Sequence, residues 1–142
     1  MSKKLIALDA GHGINTAGKR CLRNLDPRQT REWQLNSRIM DQVQDLLTTY
    51  DCQTLRADDT TGAKDISLSA RVKAANNAKA DIYISMHHNA GLNGRSGGGT
   101  VVYYSSSKPE RVMQAQKLYN SIINRTGLAG NRSAKVVKRI FT

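Results

Sequence analysis

Cysteine, glutamate, histidine and long apolar runs are all scarce in this sequence, and the scarcities exclude several kinds of protein. Cys21 and Cys52 are the only cysteines, too few for a disulfide scaffold and too far apart in sequence for a thiolate metal site. Both are read as reduced, with Cys52 in the core. The longest apolar run, Leu5-Ile6-Ala7-Leu8, stops at Asp9, far short of the roughly 20 residues that a membrane span needs. No transmembrane helix is expected. The start Met-Ser-Lys-Lys is charged like that of a signal peptide, but the apolar stretch behind it is too short and no small-residue cleavage site follows. Synthesis in the cytoplasm is therefore expected, with action elsewhere only after release.

The chain has 142 residues, a size that suits one domain. Its 39% hydrophobic and 23% charged residues exclude a collagen-like, low-complexity or disordered chain. No internal repeat or linker is visible. The net charge is +11, and residues 108–142 carry +7 of it, with eight bases and one acid, Glu110. Such an excess draws a protein toward polyanions. A nucleic-acid binder would need exposed aromatics interleaved with the bases, or a reading motif. The aromatics are 5% of residues and fall mostly in strand and apolar helix patterns, so nucleic acid is disfavoured as a partner. Anionic polymers remain open as one.

The pattern predicts strands alternating with helices. Residues 3–9 read as a buried strand running into Gly11-His12-Gly13, followed by a long loop to about residue 30. A helix then starts near Arg31 or Glu32, with Leu35, Ile39, Val43 and Leu46 or Leu47 on its apolar face. Residues 52–57 form a second strand. A second helix runs from about Ser67, its N-cap, to Lys79, with Leu68, Val72, Ala75 and Ala78 or Ala80 inward. Asp81–His87 is a central strand, Gly91–Gly99 a glycine-rich loop and Thr100–Ser105 a strand. A helix from Pro109 to Gly127 follows, with Val112, Ala115, Tyr119, Ile122 and Ile123 inward, and then a last strand from Lys135. The expected fold is α/β, with a mostly parallel central sheet, helices on both faces and ligands at the carboxyl ends of the strands.

All three histidines fall at two such ends, His12 after the first strand and His87-His88 after the third. Imidazoles and a carboxylate are the ligand set of catalytic zinc. Glu32 and Glu110 are the only glutamates, and Glu32, at the first helix start, is the better third ligand. Its alternative role is a carboxylate at a helix N-terminus, worth about 0.3–1 kcal/mol. Asp9 and His88 are the other candidates. Asp9 could instead orient His12 from the outer shell, and His88, adjacent to His87 on an extended segment, points to the opposite face.

Asp9-Ala10-Gly11-His12-Gly13, Glu32 at a helix start, Ser67-Leu68-Ser69-Ala70-Arg71-Val72-Lys73-Ala74-Ala75-Asn76 and Asp81-Ile82-Tyr83-Ile84-Ser85-Met86-His87-His88-Asn89-Ala90 occur in this order. The ordered set resembles the zinc-dependent N-acetylmuramoyl-L-alanine amidases of the amidase_3 type, found in bacterial autolysins and phage endolysins. The resemblance implies one zinc ion on His12, Glu32 and His87, substrate contacts from His88 and Asn89, and hydrolysis of the amide between N-acetylmuramic acid and L-alanine in peptidoglycan. It also implies a second glutamate as general acid/base, on a late strand in a motif like P-x-x-L-x-E. No such motif follows Asn131–Lys135, and Glu110 does not match it, so no catalytic residue is assigned. The chain is expected to be a catalytic domain ending one strand and one helix early, nearly inactive, with an exposed sheet edge that could pair two copies. A non-catalytic wall-binding module is the alternative.

Overall fold

The computed structural model describes residues 3–89, 99–128 and 136–139. Residues 91–98 of the expected glycine-rich loop, the stretch 131–135 and the chain end 140–142 lie outside the described residues. The chain forms two compact units, Met1–His88 and Asn89–Thr142.

The first unit is built on three parallel strands, β1 (Leu5–Ala10), β2 (Gln53–Arg56) and β3 (Ile82–Met86), in the order β2-β1-β3. Strand β1 is central, and its run of apolar residues is buried along almost its whole length, as a strand covered on both faces should be. Alternation divides its side chains between the faces. Ile6, Leu8 and Ala10 pack with Trp33 and Met40 of helix α1 (Glu32–Thr48), joined by Ile84 and Met86 from β3. Asp9 points the other way, to Arg71 of helix α2 (Leu68–Asn77) and to Tyr83 and Ser85 of β3. The two helices thus cover opposite faces of this sheet.

Helix α1 starts where the spacing predicts, with Gln34 Oε1 accepting the Arg31 N–H at 2.9 Å as in half of a capping box. Its buried stripe is Trp33, Asn36, Ser37 and Met40, with Ile39, Val43 and Leu47 partly buried against the core; Leu46 faces solvent. In α2, Ser67 caps the start by accepting the Ala70 N–H at 3.3 Å. The inward face of this helix differs from expectation. Arg71 and Ala75 are buried, while Leu68 is 51% exposed. The strong hydrogen-bond acceptors around Arg71 displace the apolar residue from the inside.

The second unit, taken by itself, is a strand–helix–strand element. Strands β4 (Val102–Ser105) and β5 (Val136–Arg139) pair in parallel, and helix α3 (Val112–Thr126) packs on both through buried Ala115 and Tyr119. A 3-10 turn at Pro109–Arg111 leads into α3. Gly127 closes the helix at φ 68°, and its N–H bonds to the Ile123 carbonyl; a residue with Cβ is disfavoured in that left-handed conformation. Val112, expected inward, is exposed. Among the described residues, no helix is long and apolar enough to cross a membrane.

Leu8 is fully buried at the centre of the first sheet. Leu8→Ala should lower unfolding free energy by about 2–5 kcal/mol, read as a lower urea midpoint with an unchanged denaturant slope.

Candidate metal centre

His12 follows β1, His87 follows β3, and Glu32 opens α1. The chain passes from β1 to one neighbour, β2, and later to the other, β3. A sheet whose connections diverge in this way leaves a crevice at the carboxyl ends of the two strands, and both histidines sit at its rim. The loop from Gly13 returns to it because the Glu32 N–H donates to the Lys19 carbonyl at 3.0 Å and Arg20 pairs with Arg31 as an antiparallel bridge.

The three side chains converge. Glu32 Oε1 lies 3.2 Å from His87 Nδ1 and 3.5 Å from His12 Nε2, and one ligand atom from each residue lies within 4.8 Å of the others. The two rings meet edge to face, their centroids 4.8 Å apart. His12 Nε2 is buried and has no hydrogen-bond partner. A buried polar atom without a partner costs about 1–3 kcal/mol, so its lone pair calls for a group not among the protein atoms. Donors about 2.0–2.2 Å from a tetrahedral ion stand about 3.3–3.6 Å apart, close to the two Glu32 distances. Two imidazoles and a carboxylate therefore fit a four-coordinate divalent cation with one position left over.

Electrostatics favour the ligating protonation states. Burial lowers the pKa of His12, outweighing the opposing charge of Glu32, so its ring is neutral at pH 7. Burial pushes Glu32 up, but the hydrogen bond with His87, the charge that His12 carries in the acid range where a carboxylate titrates, and Lys19 outweigh it and hold the carboxylate below its usual range.

His87 closes over Gly11. A Cβ on Gly11 would overlap the His87 ring where it stands, so any other residue there must push the ring aside. His88 turns away from the trio. Its Nδ1 is 2.7 Å from Asn36 Oδ1, and its backbone N–H donates to Glu32 at 3.2 Å. Asn89 donates its side-chain N–H to the Gly99 carbonyl at 2.8 Å. Asp9, weighed as a ligand or as an acceptor for the His12 ring, is neither: it is 2% exposed and bonded to Arg71, Tyr83 and Ser85. Tyr83 is raised well above its usual pKa by burial and by this carboxylate.

Two residues at the site were not anticipated. Asn36 is fully buried, and besides facing His88 it donates to the Gly11 carbonyl at 3.1 Å. Arg71 is 4% exposed and donates to the Ala10 and His12 carbonyls at 2.8 and 3.0 Å. Both stand four residues from another inward position on their helices, Met40 and Ala75. A polar residue in an apolar helical stripe was the signal available. A cavity beside the histidines is lined by Ser85, Ile66 and Leu68 among others, which gives the exposed Leu68 a place.

The profile of the N-acetylmuramoyl-L-alanine amidases of the amidase_3 type matches residues 6–140. This chain belongs to that family. The solved N-acetylmuramoyl-L-alanine amidase of Clostridium difficile 630 is 26% identical, with a TM-score of 0.80 over 99% of this chain and 72% of its own. At 24% identity, the catalytic domain of the amidase CwlV from Bacillus (Paenibacillus) polymyxa shares the fold, with a TM-score of 0.76 over 97% of this chain and 71% of its own. The amidase AmiC2 of Nostoc punctiforme does so at 23% identity, with a TM-score of 0.78 over 99% and 71%. A comparison with curated protein sequences finds no match. The expected α/β amidase fold is thus present, and the chain is an amidase of the peptidoglycan-cleaving type.

The contact beneath His87 is directly testable. Gly11→Ala should displace the His87 ring, seen as a shifted His87 imidazole resonance by NMR in a protein that keeps its fold. The burial of His12 gives a second expectation: in the metal-free protein its ring should titrate below the ordinary range of a histidine, measured as its Cε1–H shift against pH.

Proposed function

We propose that this chain binds one zinc ion on His12, Glu32 and His87 and hydrolyses the amide between N-acetylmuramic acid and L-alanine in peptidoglycan. The observation that carries this reading is the convergence of the three donors around the unpartnered, buried His12 Nε2 in a chain of the amidase family. Zinc bound there supplies a Lewis acid for the scissile carbonyl and lowers the pKa of a water toward about 7.

The chain's own residues prepare that chemistry. His12 presents a neutral ring because burial disfavours its charged form. Glu32, at the first position of α1, accepts the His88 N–H, which leaves it a positioned ligand rather than a mobile proton carrier. Asn36 fixes His88 and the Gly11 carbonyl together, so the two strand ends that bear the histidines share one buried anchor. His88 and Asn89 remain the proposed contacts for the substrate on the β3 side.

Proton transfer needs a further group. Glu32 and Glu110 are the only glutamates in the sequence, and Glu32 is committed as a ligand. Loss of one proton-transfer group costs about 10²–10⁴-fold, so slow turnover is the proposal for these 142 residues. The +11 charge suits the anionic polymers of a cell wall, with an attraction that weakens as salt rises.

The test is metal content and amine release from purified peptidoglycan. Wild type should hold one zinc per chain, with an affinity that falls as pH drops through the range where the imidazoles gain protons. It should also release L-alanine amines slowly, whereas His12→Ala should lose both zinc and amine release. Muropeptide binding without any amine release, even from a longer chain that adds a glutamate, would sink the hydrolytic reading and favour a wall-binding module.

A further inference from the structure

The guanidinium of Arg71 lies almost wholly out of water, and every one of its N–H groups is used. Nε donates to the Ile66 carbonyl at 2.6 Å. Nη1 donates to Asp9 and to the Ala10 carbonyl, and Nη2 to the His12 carbonyl at 3.0 Å and to Asp65 at 3.2 Å. The two backbone carbonyls flank Gly11, the residue on which His87 rests. One side chain from α2 therefore grips the backbone on both sides of the contact between the histidine-bearing strand ends.

His12 needs such a grip. Its φ is +69°, a left-handed conformation that costs a residue with Cβ of order 1–3 kcal/mol and persists only where the surroundings enforce it. The enforcement closes on itself. Gly13 N–H donates to Thr16 Oγ1 at 2.9 Å, Thr16 donates to Asp65 at 2.6 Å, Asp65 accepts from Arg71, and Arg71 returns to the His12 carbonyl. His12 is thus held from both sides along the backbone, while its ring nitrogen Nε2 makes no hydrogen bond within the protein and stands 3.5 Å from Glu32 Oε1. The backbone from which the ring projects is fixed by these bonds, and no hydrogen bond at Nε2 adds to them.

We infer that Arg71, seated by Asp9 and Asp65, is the positioning residue of the metal centre, holding His12 in its strained conformation through the Ala10 and His12 carbonyls. The inference rests on the zinc reading of the trio. A lysine would keep the charge beside Asp9, but a single ammonium cannot span the acceptors that the planar fork reaches. Loss of a group that orients a metal ligand typically weakens metal affinity about 10–100-fold.

The experiment measures zinc affinity of the full chain by chelator competition, the visible spectrum of the cobalt(II)-loaded protein, and the melting temperature of the metal-free protein. Arg71→Lys should bind zinc about 10–100-fold more weakly and alter the cobalt spectrum. Asp65→Ala removes a side chain that is 45% exposed and should shift zinc affinity in the same direction by less, in a protein that folds. Tyr83→Phe deletes a bond to the same Asp9 carboxylate without touching His12; it should lower the melting temperature and retain wild-type zinc affinity. Should Arg71→Lys fail to fold, Asp65→Ala against Tyr83→Phe decides the matter. Wild-type zinc affinity in folded Arg71 and Asp65 variants would overturn the inference, as would affinities that simply track melting temperature across all the variants. Wild type that takes up no zinc would overturn the trio reading, and this one with it.

Discussion

The ion pair between Arg71 and Asp9 is the constraint around which the first unit is organised. Both residues are almost completely buried, and taking two charges out of water costs several kcal/mol per ion, by order of magnitude, unless their remaining hydrogen-bonding capacity is met. Here it is met on both sides. One Asp9 oxygen takes the guanidinium and the other takes the Tyr83 and Ser85 hydroxyls, while Arg71 spends its remaining donors on backbone carbonyls and Asp65. Removing either partner would strand a charge in the interior. With the Tyr83 and Ser85 hydroxyls, the pair ties β1 to α2 and β3, two elements more than sixty residues further along the chain.

What the pair does for one face of the sheet, Asn36 does for the edge beside α1. It is a fully buried amide between Trp33 and Met40 on the inner face of α1, bonded to the Gly11 carbonyl and facing His88. Between these anchors the Gly11-His12-Gly13 turn has little freedom. A strained backbone, a glycine under an aromatic ring and a buried nitrogen without a partner are each unfavourable taken alone. Their occurrence together at the carboxyl ends of two parallel strands marks a place shaped for a ligand rather than for stability.

Much of this was legible in the residues themselves. The continuous apolar run of β1, the four-residue spacing of α1, the Ser67 cap and the glycine after α3 each carry their own local physics, and the elements formed accordingly. The positions of the histidines just past two strands pointed to one edge before any contact was known. Periodicity failed where polar groups go inward. The helical stripe containing Leu68 was read as apolar, yet Arg71 occupies the interior, because a guanidinium with five acceptors in reach is better satisfied there than a leucine. Asp9 was read toward His12 for a similar reason: a one-dimensional pattern does not say which distant cation a carboxylate will meet.

Which segments become strands and helices, and that two imidazoles and a carboxylate stand at element ends, followed from local pattern, because hydrophobic period, caps and turn residues act over a few neighbours. That the three meet around one point, that Asn36 and Arg71 hold them there, and that Asp9 serves the arginine rather than the histidine came from the folded arrangement alone. Those outcomes depend on strand order and on buried charges finding partners more than fifty residues away, and electrostatic pairing at that separation leaves no local trace in the chain.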